Sequence, residues 1–225
     1  MKIGAAVPVY GRERFIGAYL EMLLDFGITP VVTLGTKAWV SFIPYEGQPD
    51  RTELILDKFF PEVKVIKGVF SHHRDSVNQA ITNGLMGMDL ILVNDCDMFI
   101  TRNDWDEFVK FVEGEHTYEV YSINFERMII EYYFDWRYGR AALRGGDPPL
   151  VALKPPVEFR HMTRATCDNE IVWDTEGPKY HHMRFCQKGR GDKRCNPPVE
   201  TKDYSPAPQE IADRLIKWEK ILETL

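Results

Sequence analysis

The stretch "MDLILVNDCDMFITRNDWDEF", Met88 to Phe108, decides how the chain is read. It opens on the apolar run "DLILVN", which ends at two aspartates one residue apart, Asp95 and Asp97. A continuous run of Leu, Ile and Val, rather than an alternation with polar residues, marks a strand buried on both faces. Two carboxylates at the end of such a strand repel each other unless a cation or hydrogen-bond donors compensate them. After them, "NDWDEFVKFVEG" has the period of an amphipathic helix.

Working outward, the same alternation recurs upstream. "KIGAAVPV" is a short apolar strand that ends at Pro8. "ERFIGAYLEMLLDFG" places Phe15, Ile16, Tyr19, Leu20, Leu23 and Phe26 at helical spacing, with Gly27 at the C-cap position. "TPVVTLG", "RTELILDKFF", "EVKVIKG" and "HRDSVNQAITNGLMG" follow as strand, helix, strand and helix, with His72-His73 in the preceding loop. This βα alternation over residues 1–115 predicts an α/β fold with a mostly parallel central sheet flanked by helices on both faces.

The second half is less regular. "TYEVYSINFERMIIEYYFDWRYG" is rich in aromatic and β-branched residues, "PLVALKPPVEF" reads as a strand broken at Pro155-Pro156, and "KYHHMRF" as a short strand. The tract "KGRGDKRCNPPVETKDYSPAP" is loop-like. In "QEIADRLIKWEKILETL", Ile211, Leu215, Trp218, Leu222 and Leu225 form one apolar helical stripe, expected to pack on its own domain. Three parts are expected: residues 1–115 and 116–190 as two halves of one domain, and 191–225 as a loop and amphipathic helix.

Bulk properties narrow the function classes. The chain has 225 residues, 44% hydrophobic and 28% charged, with a formal net charge of −6. This length removes roughly 70–75% of the extended-chain surface from water without a disulfide staple. The acidic balance argues against a broad nucleic-acid face. The four cysteines, Cys96, Cys167, Cys186 and Cys195, include no C-x-x-C pair and fit reduced thiols in a cytoplasmic protein. No apolar run approaches the ~20 residues of a spanning helix.

The pair Asp95/Asp97 lies at the carboxyl end of the fourth strand, where open α/β sheets bind ligands. Mg²⁺ or Mn²⁺ with a substrate diphosphate is the compensating charge such a site suits, since both ions prefer oxygen ligands. A strand-terminal turn or helix cap is the plainer reading.

With "VPVYGRERFIGAYLEMLL", then "HRDSVNQAITNGL", then "LILVNDCDMF", in that order, the chain resembles glycosyltransferases of the GT-A fold, family 2 in particular, over residues 2–112 and weakly over 160–186. The resemblance implies a metal-dependent enzyme that moves a sugar from a nucleoside-diphosphate sugar to a glycan, lipid or protein acceptor, with inversion. It implies that residues 1–115 are the nucleotide-sugar-binding half and 116–190 the acceptor-side half of the same domain, and that Pro8, Val9, Tyr10 and Arg12 grip the nucleotide. Tyr10 has the chemistry to stack on a base and Arg12 to pair with phosphate. Arg74 and Asn78, four apart on one helix face, would line the same pocket. Asp95 would touch sugar or ribose and share the metal, and Asp97 would bind it. Family members carry acids after the second strand that hold the base. Here only Thr33, Leu34, Gly35 and Thr36 stand there, so the nucleotide stays open.

A carboxylate must take the acceptor proton. "CDNEIVW" reads as a helix start that offers Asp168 or Glu170, with Asp168 equally suited to an N-cap. Relatives often add a late histidine to the metal. His182 shares a strand face with Arg184 and His181 shares the opposite face with Met183 and Phe185, which favours His182. Tyr132, Tyr133, Trp136 and Tyr138 suit either core or an acceptor groove. The competing functions are a sugar-nucleotide nucleotidyltransferase, a phosphohydrolase using the aspartate pair, and a non-catalytic nucleotide-sugar-binding protein. The nucleotidyltransferase would need a Gly-rich arginine loop after strand one, where "PVYGRERF" has one glycine. The hydrolase would need its acids after a first strand.

Overall fold

The computed structural model describes residues 1–36, 50–93, 95–113, 122–124, 129–134, 139–144, 151–153, 159–161, 164–165, 170–172, 180–184, 204 and 207–225. The first half runs β1 (Ile3–Val9), α1 (Glu13–Asp25), β2 (Thr29–Gly35), α2 (Thr52–Phe59), β3 (Lys64–Gly68), α3 (His73–Ala80) with a π-helical extension (Ile81–Leu85), β4 (Leu90–Val93), β5 (Met98–Ile100) and α4 (Arg102–Glu113). The second half runs β6 (Ser122–Asn124), β7 (Ile129–Phe134), β8 (Gly139–Arg144), β9 (Val151–Leu153), β10 (Phe159–His161), β11 (Arg164–Ala165), β12 (Glu170–Val172), β13 (Tyr180–Arg184) and α5 (Gln209–Thr224).

The central sheet has seven strands in the order β12-β6-β9-β4-β1-β2-β3. β4, β1, β2 and β3 are parallel neighbours. Among the described strands of this sheet, only β9 runs against its neighbours. The apolar runs are continuous because both faces are covered. Ala5, Val7, Val9, Leu90 and Leu92 join the core formed with α1 and α5, while Ala6, Ile91 and Val93 join Val77, Ala80, Ile81 and Leu85 on the α3 side. No helix among the described residues is long and apolar enough to cross a membrane.

β13 carries a second sheet, ordered β5-β13-β7-β8, in which it is antiparallel to β5 and parallel to β7. This ties the chain just after Asp97 to the second half of the molecule. One sequence expectation is corrected here. Glu170 opens β12, a strand parallel to β6 with Ile171 opposite Ile123, and not a helix. The β-branched pair Ile171-Val172 prefers the pleated surface to a helical turn.

Helix α5 folds back on α1. Ile211, Leu215, Trp218 and Leu222 of its stripe are buried, and Leu225 packs at the edge. Trp218 fits against a bare backbone, since a Cβ on Gly17 would stand 2.2 Å from its ring. It stacks on Phe60 at 5.5 Å and meets Phe59 edge-on at 5.3 Å, and its Nε1–H donates to Glu21 Oε2 at 2.7 Å. Nearby, the buried Tyr204 hydroxyl donates to Glu219, whose Oε1 also lies 3.9 Å from Arg14 Nε. Burial first, and then the Glu219 carboxylate, push the Tyr204 hydroxyl well above its usual pKa, so it remains a donor.

Candidate active site

The site lies between β1 and β4. From β1 the chain crosses through α1 to β2 on one side, whereas β4 has β9 as its other neighbour. The strand order therefore reverses at this pair, and it is at the carboxyl end of such a reversal that open α/β sheets bind ligands. In register, Ile3 pairs with Leu90 and Ala6 with Val93, so β1 runs on to Val9 past the end of β4 and the two strands direct their carboxyl ends the same way.

Arg12 comes from the β1 side. Gly11 turns the chain in the left-handed region, at φ 58°, which a side chain would resist. Arg12 then takes the N-cap position of α1. Its Nη1 lies 3.4 Å from Asp97 Oδ2, with the two side chains 14% and 8% exposed. Burial works against the guanidinium charge, but Asp97 first, with Asp95 and Asp50 among the smaller contributors, holds its pKa above the ordinary value.

His73 comes from the start of α3. Its Nε2 is 3.2 Å from Asp95 Oδ1. Its backbone oxygen accepts the Ser76 hydroxyl at 2.6 Å. Surrounding protein tends to raise the Asp95 pKa. The His73 hydrogen bond and charge, helped by Arg12 and opposed by Asp97, nonetheless hold it below the usual carboxylate range. A carboxylate with a lowered pKa adds stability above its unfolded value of about 3.9 and loses it as pH falls through the folded value. His73→Phe is therefore expected to raise the Asp95 titration midpoint, read by ¹³C NMR of the carboxyl carbon. The variant's stability deficit at pH 7 should close as pH falls below about 4.

An interlocking set of caps holds the Arg12 turn. The Arg12 N–H donates to Thr52 Oγ1 at 2.8 Å. Asp50 accepts the Thr52 N–H at 2.9 Å and the Glu13 N–H at 3.1 Å, serving the first turns of α2 and α1 together. Glu13 in turn accepts the Arg51 N–H at 3.0 Å. Sequence reading missed His73, Asp50 and Thr52. For Asp50 and Thr52 a signal existed, an Asp-x-Thr just before a helix. His73, expected in the loop, instead opens α3, and it is the first residue of the quoted segment "HRDSVNQAITNGL".

The other expected residues are placed as follows. Pro8, Val9 and Tyr10 are buried at the end of β1. Arg74 and Asn78 share α3, Arg74 exposed with its Nε 3.5 Å from Asp75 Oδ1 and Asn78 half-buried. Thr36 donates its N–H and hydroxyl to Gly68 O. The buried His181 has its Nε2 3.7 Å from Asp104 Oδ2 on α4. His182 pairs in register with Met98, and the Met183 N–H donates to Asp97 O at 2.8 Å, so β13 is stitched to the aspartate turn. Glu170 lies in β12, at the edge of the central sheet. Asp168, Trp136, Tyr138, Cys167, Cys186 and Cys195 lie outside the described residues.

No protein-family model and no curated protein matches the sequence. Among solved structures, S. aureus TarS superposes with a TM-score of 0.52 at 13% identity, over 82% of this chain and 37% of that one. A structure of S. aureus TarS 1–349 gives 0.51 at 13% identity, over 81% and 60%. The chain thus spans less than two-thirds of the length of either structure, and at this identity the likeness is one of fold. The strand order and these superpositions together give this chain a GT-A-like α/β fold.

Proposed function

We propose that the chain transfers a sugar from a nucleoside-diphosphate sugar to an acceptor hydroxyl of a glycan, lipid or protein, with Mn²⁺ or Mg²⁺ as cofactor. The observation that carries this reading is the convergence of Asp95, Asp97, Arg12 and His73 at the carboxyl ends of two adjacent parallel strands.

The donor set suits the ion. Two carboxylates offer hard oxygens, Asp97 from a buried position and Asp95 from a half-exposed one. Among the described residues no group of three His, Cys, Asp or Glu side chains could hold a metal. Mg²⁺ characteristically takes one or two carboxylates and completes its shell with water and substrate phosphates, so a pair is enough. Of the two histidines, His181 is engaged with Asp104, which leaves His182 as our choice for the shell.

When bound, the ion supplies Lewis-acid neutralisation of the departing diphosphate. Asp97 and Asp95 would hold it, and Arg12 would add a second positive charge at the leaving group. His73 orients Asp95. Asp168 or Glu170 would accept the acceptor proton as the new bond forms. Inversion follows from the family resemblance.

The test is a melting panel of UDP, GDP, CMP and dTDP compounds, each with and without Mn²⁺, followed by donor hydrolysis assays. A melting temperature raised only by a nucleotide together with Mn²⁺, with slow release of sugar from its donor, is the expected result. Nucleotide binding without turnover of any donor would instead favour a binding protein of the same fold.

A further inference from the structure

Arg12 is anchored at its backbone and engaged at its tip. The Thr52 hydroxyl fixes its N–H, and Asp50 fills the first turn of α1 by accepting the Glu13 N–H. The positive end of that helix is therefore already served by a carboxylate. A diphosphate arriving at the site would be met there by the Arg12 guanidinium rather than by the Glu13 amide. That guanidinium lies 3.4 Å from Asp97 Oδ2, longer than the 2.7–2.9 Å of a charge-assisted hydrogen bond, so charge more than geometry holds the pair. Both side chains are largely removed from water, so neither is stable without an opposite charge beside it.

These facts have a thermodynamic consequence. A dication and the guanidinium compete for one carboxylate, and a diphosphate and that carboxylate compete for one guanidinium. We infer that Arg12 and Asp97 form an exchangeable ion pair, Arg12 being a built-in counter-ion that leaves Asp97 for the diphosphate when a divalent cation takes its place. Either ligand alone breaks the pair and takes from one buried charge its nearest counter-charge, with Asp95 and Asp50 only partly compensating Arg12, whereas the two together give each charge a new partner. Dication and diphosphate binding are thus positively coupled through this pair, and the coupling is reciprocal. The inference rests on the transferase reading above and adds to it the role of Arg12 in coupling the two ligands.

The test follows free Mn²⁺ by electron paramagnetic resonance in titrations of the full chain, with inorganic pyrophosphate as the second ligand. Arg12→Gln is expected to bind Mn²⁺ alone about tenfold more tightly than the unmodified protein, ~1.4 kcal/mol. Arg12→Lys, which keeps the charge, should stay near the unmodified affinity, a split that a merely structural role of Arg12 would not produce. Mn²⁺ should strengthen pyrophosphate binding about tenfold or more in the unmodified protein and less than threefold in Arg12→Gln. Asp97→Asn should lose Mn²⁺ binding. If Asp97-dependent Mn²⁺ binding were equal in the unmodified protein and Arg12→Gln, the exchange would be overturned and the transferase reading would stand. Should Arg12→Gln melt too early to titrate, Arg12→Lys and the unmodified protein still decide, because uncoupled Mn²⁺ and pyrophosphate binding in both would overturn the exchange. Absence of Asp97-dependent Mn²⁺ binding in every variant, with or without pyrophosphate, would overturn both.

Discussion

Asp97→Asn is expected to lower metal-dependent donor turnover by about 10³-fold, the scale seen when a preorganised electrostatic group is removed from a transition state. Asn keeps the shape and the backbone contact, in which Asp97 O accepts the Met183 N–H at 2.8 Å, so β13 stays attached. It removes the negative charge that any dication needs and the first partner of Arg12, 3.4 Å away. Asp95 lies close enough to act on the same guanidinium, which limits the loss of stability to about 1–3 kcal/mol. Asp95→Asn should be milder, because Asp95 is about half exposed and its main partner is His73. The measurement is donor hydrolysis against Mn²⁺ concentration, with a melting curve as control. An Asp97→Asn protein that kept its Mn²⁺-dependent turnover would remove Asp97 from the site.

Trp218→Ala is expected to destabilise the fold by about 3–5 kcal/mol, the range for emptying a large aromatic site. In a chain of 225 residues this corresponds to a fall in melting temperature of roughly 10 °C. The tryptophan is 4% exposed, stacks on Phe60, meets Phe59 edge-on and donates to Glu21. Gly17, whose bare backbone makes room for the indole, has no side chain with which to refill the void. The reverse change, Gly17→Ala, meets the ring from the other side and should displace α5 as well. Calorimetry or chemical denaturation checks both. A loss under 1 kcal/mol for Trp218→Ala would mean that α5 contributes little to this core.

Much of the architecture was legible because its signals are local. The helical spacing of Phe15, Ile16, Tyr19, Leu20, Leu23 and Phe26 gave the buried face of α1, and all six are buried. Gly27 stands after α1 with a left-handed φ of 72°, as its position suggested. The stripe on α5 followed the same rule. Short segments with no full period were less readable. "CDNEIVW" is too short to show a helical repeat, and for Glu170–Val172 within it the partner strand β6 decided. β5 is three residues long and exists because β13 pairs with it.

From sequence alone came the βα order, the mostly parallel sheet and the arrival of Asp95 and Asp97 at its carboxyl edge. Each follows from residue periodicity within a few turns or pleats. Only tertiary structure brought His73 to Asp95 across 22 positions, set Thr52 beneath Arg12 across 40, and faced Arg12 with Asp97. Hydrophobic patterning reports which face of an element is buried, whereas charge pairing depends on which elements become neighbours. That is settled when the strand order reverses between β1 and β4 and their carboxyl ends point the same way.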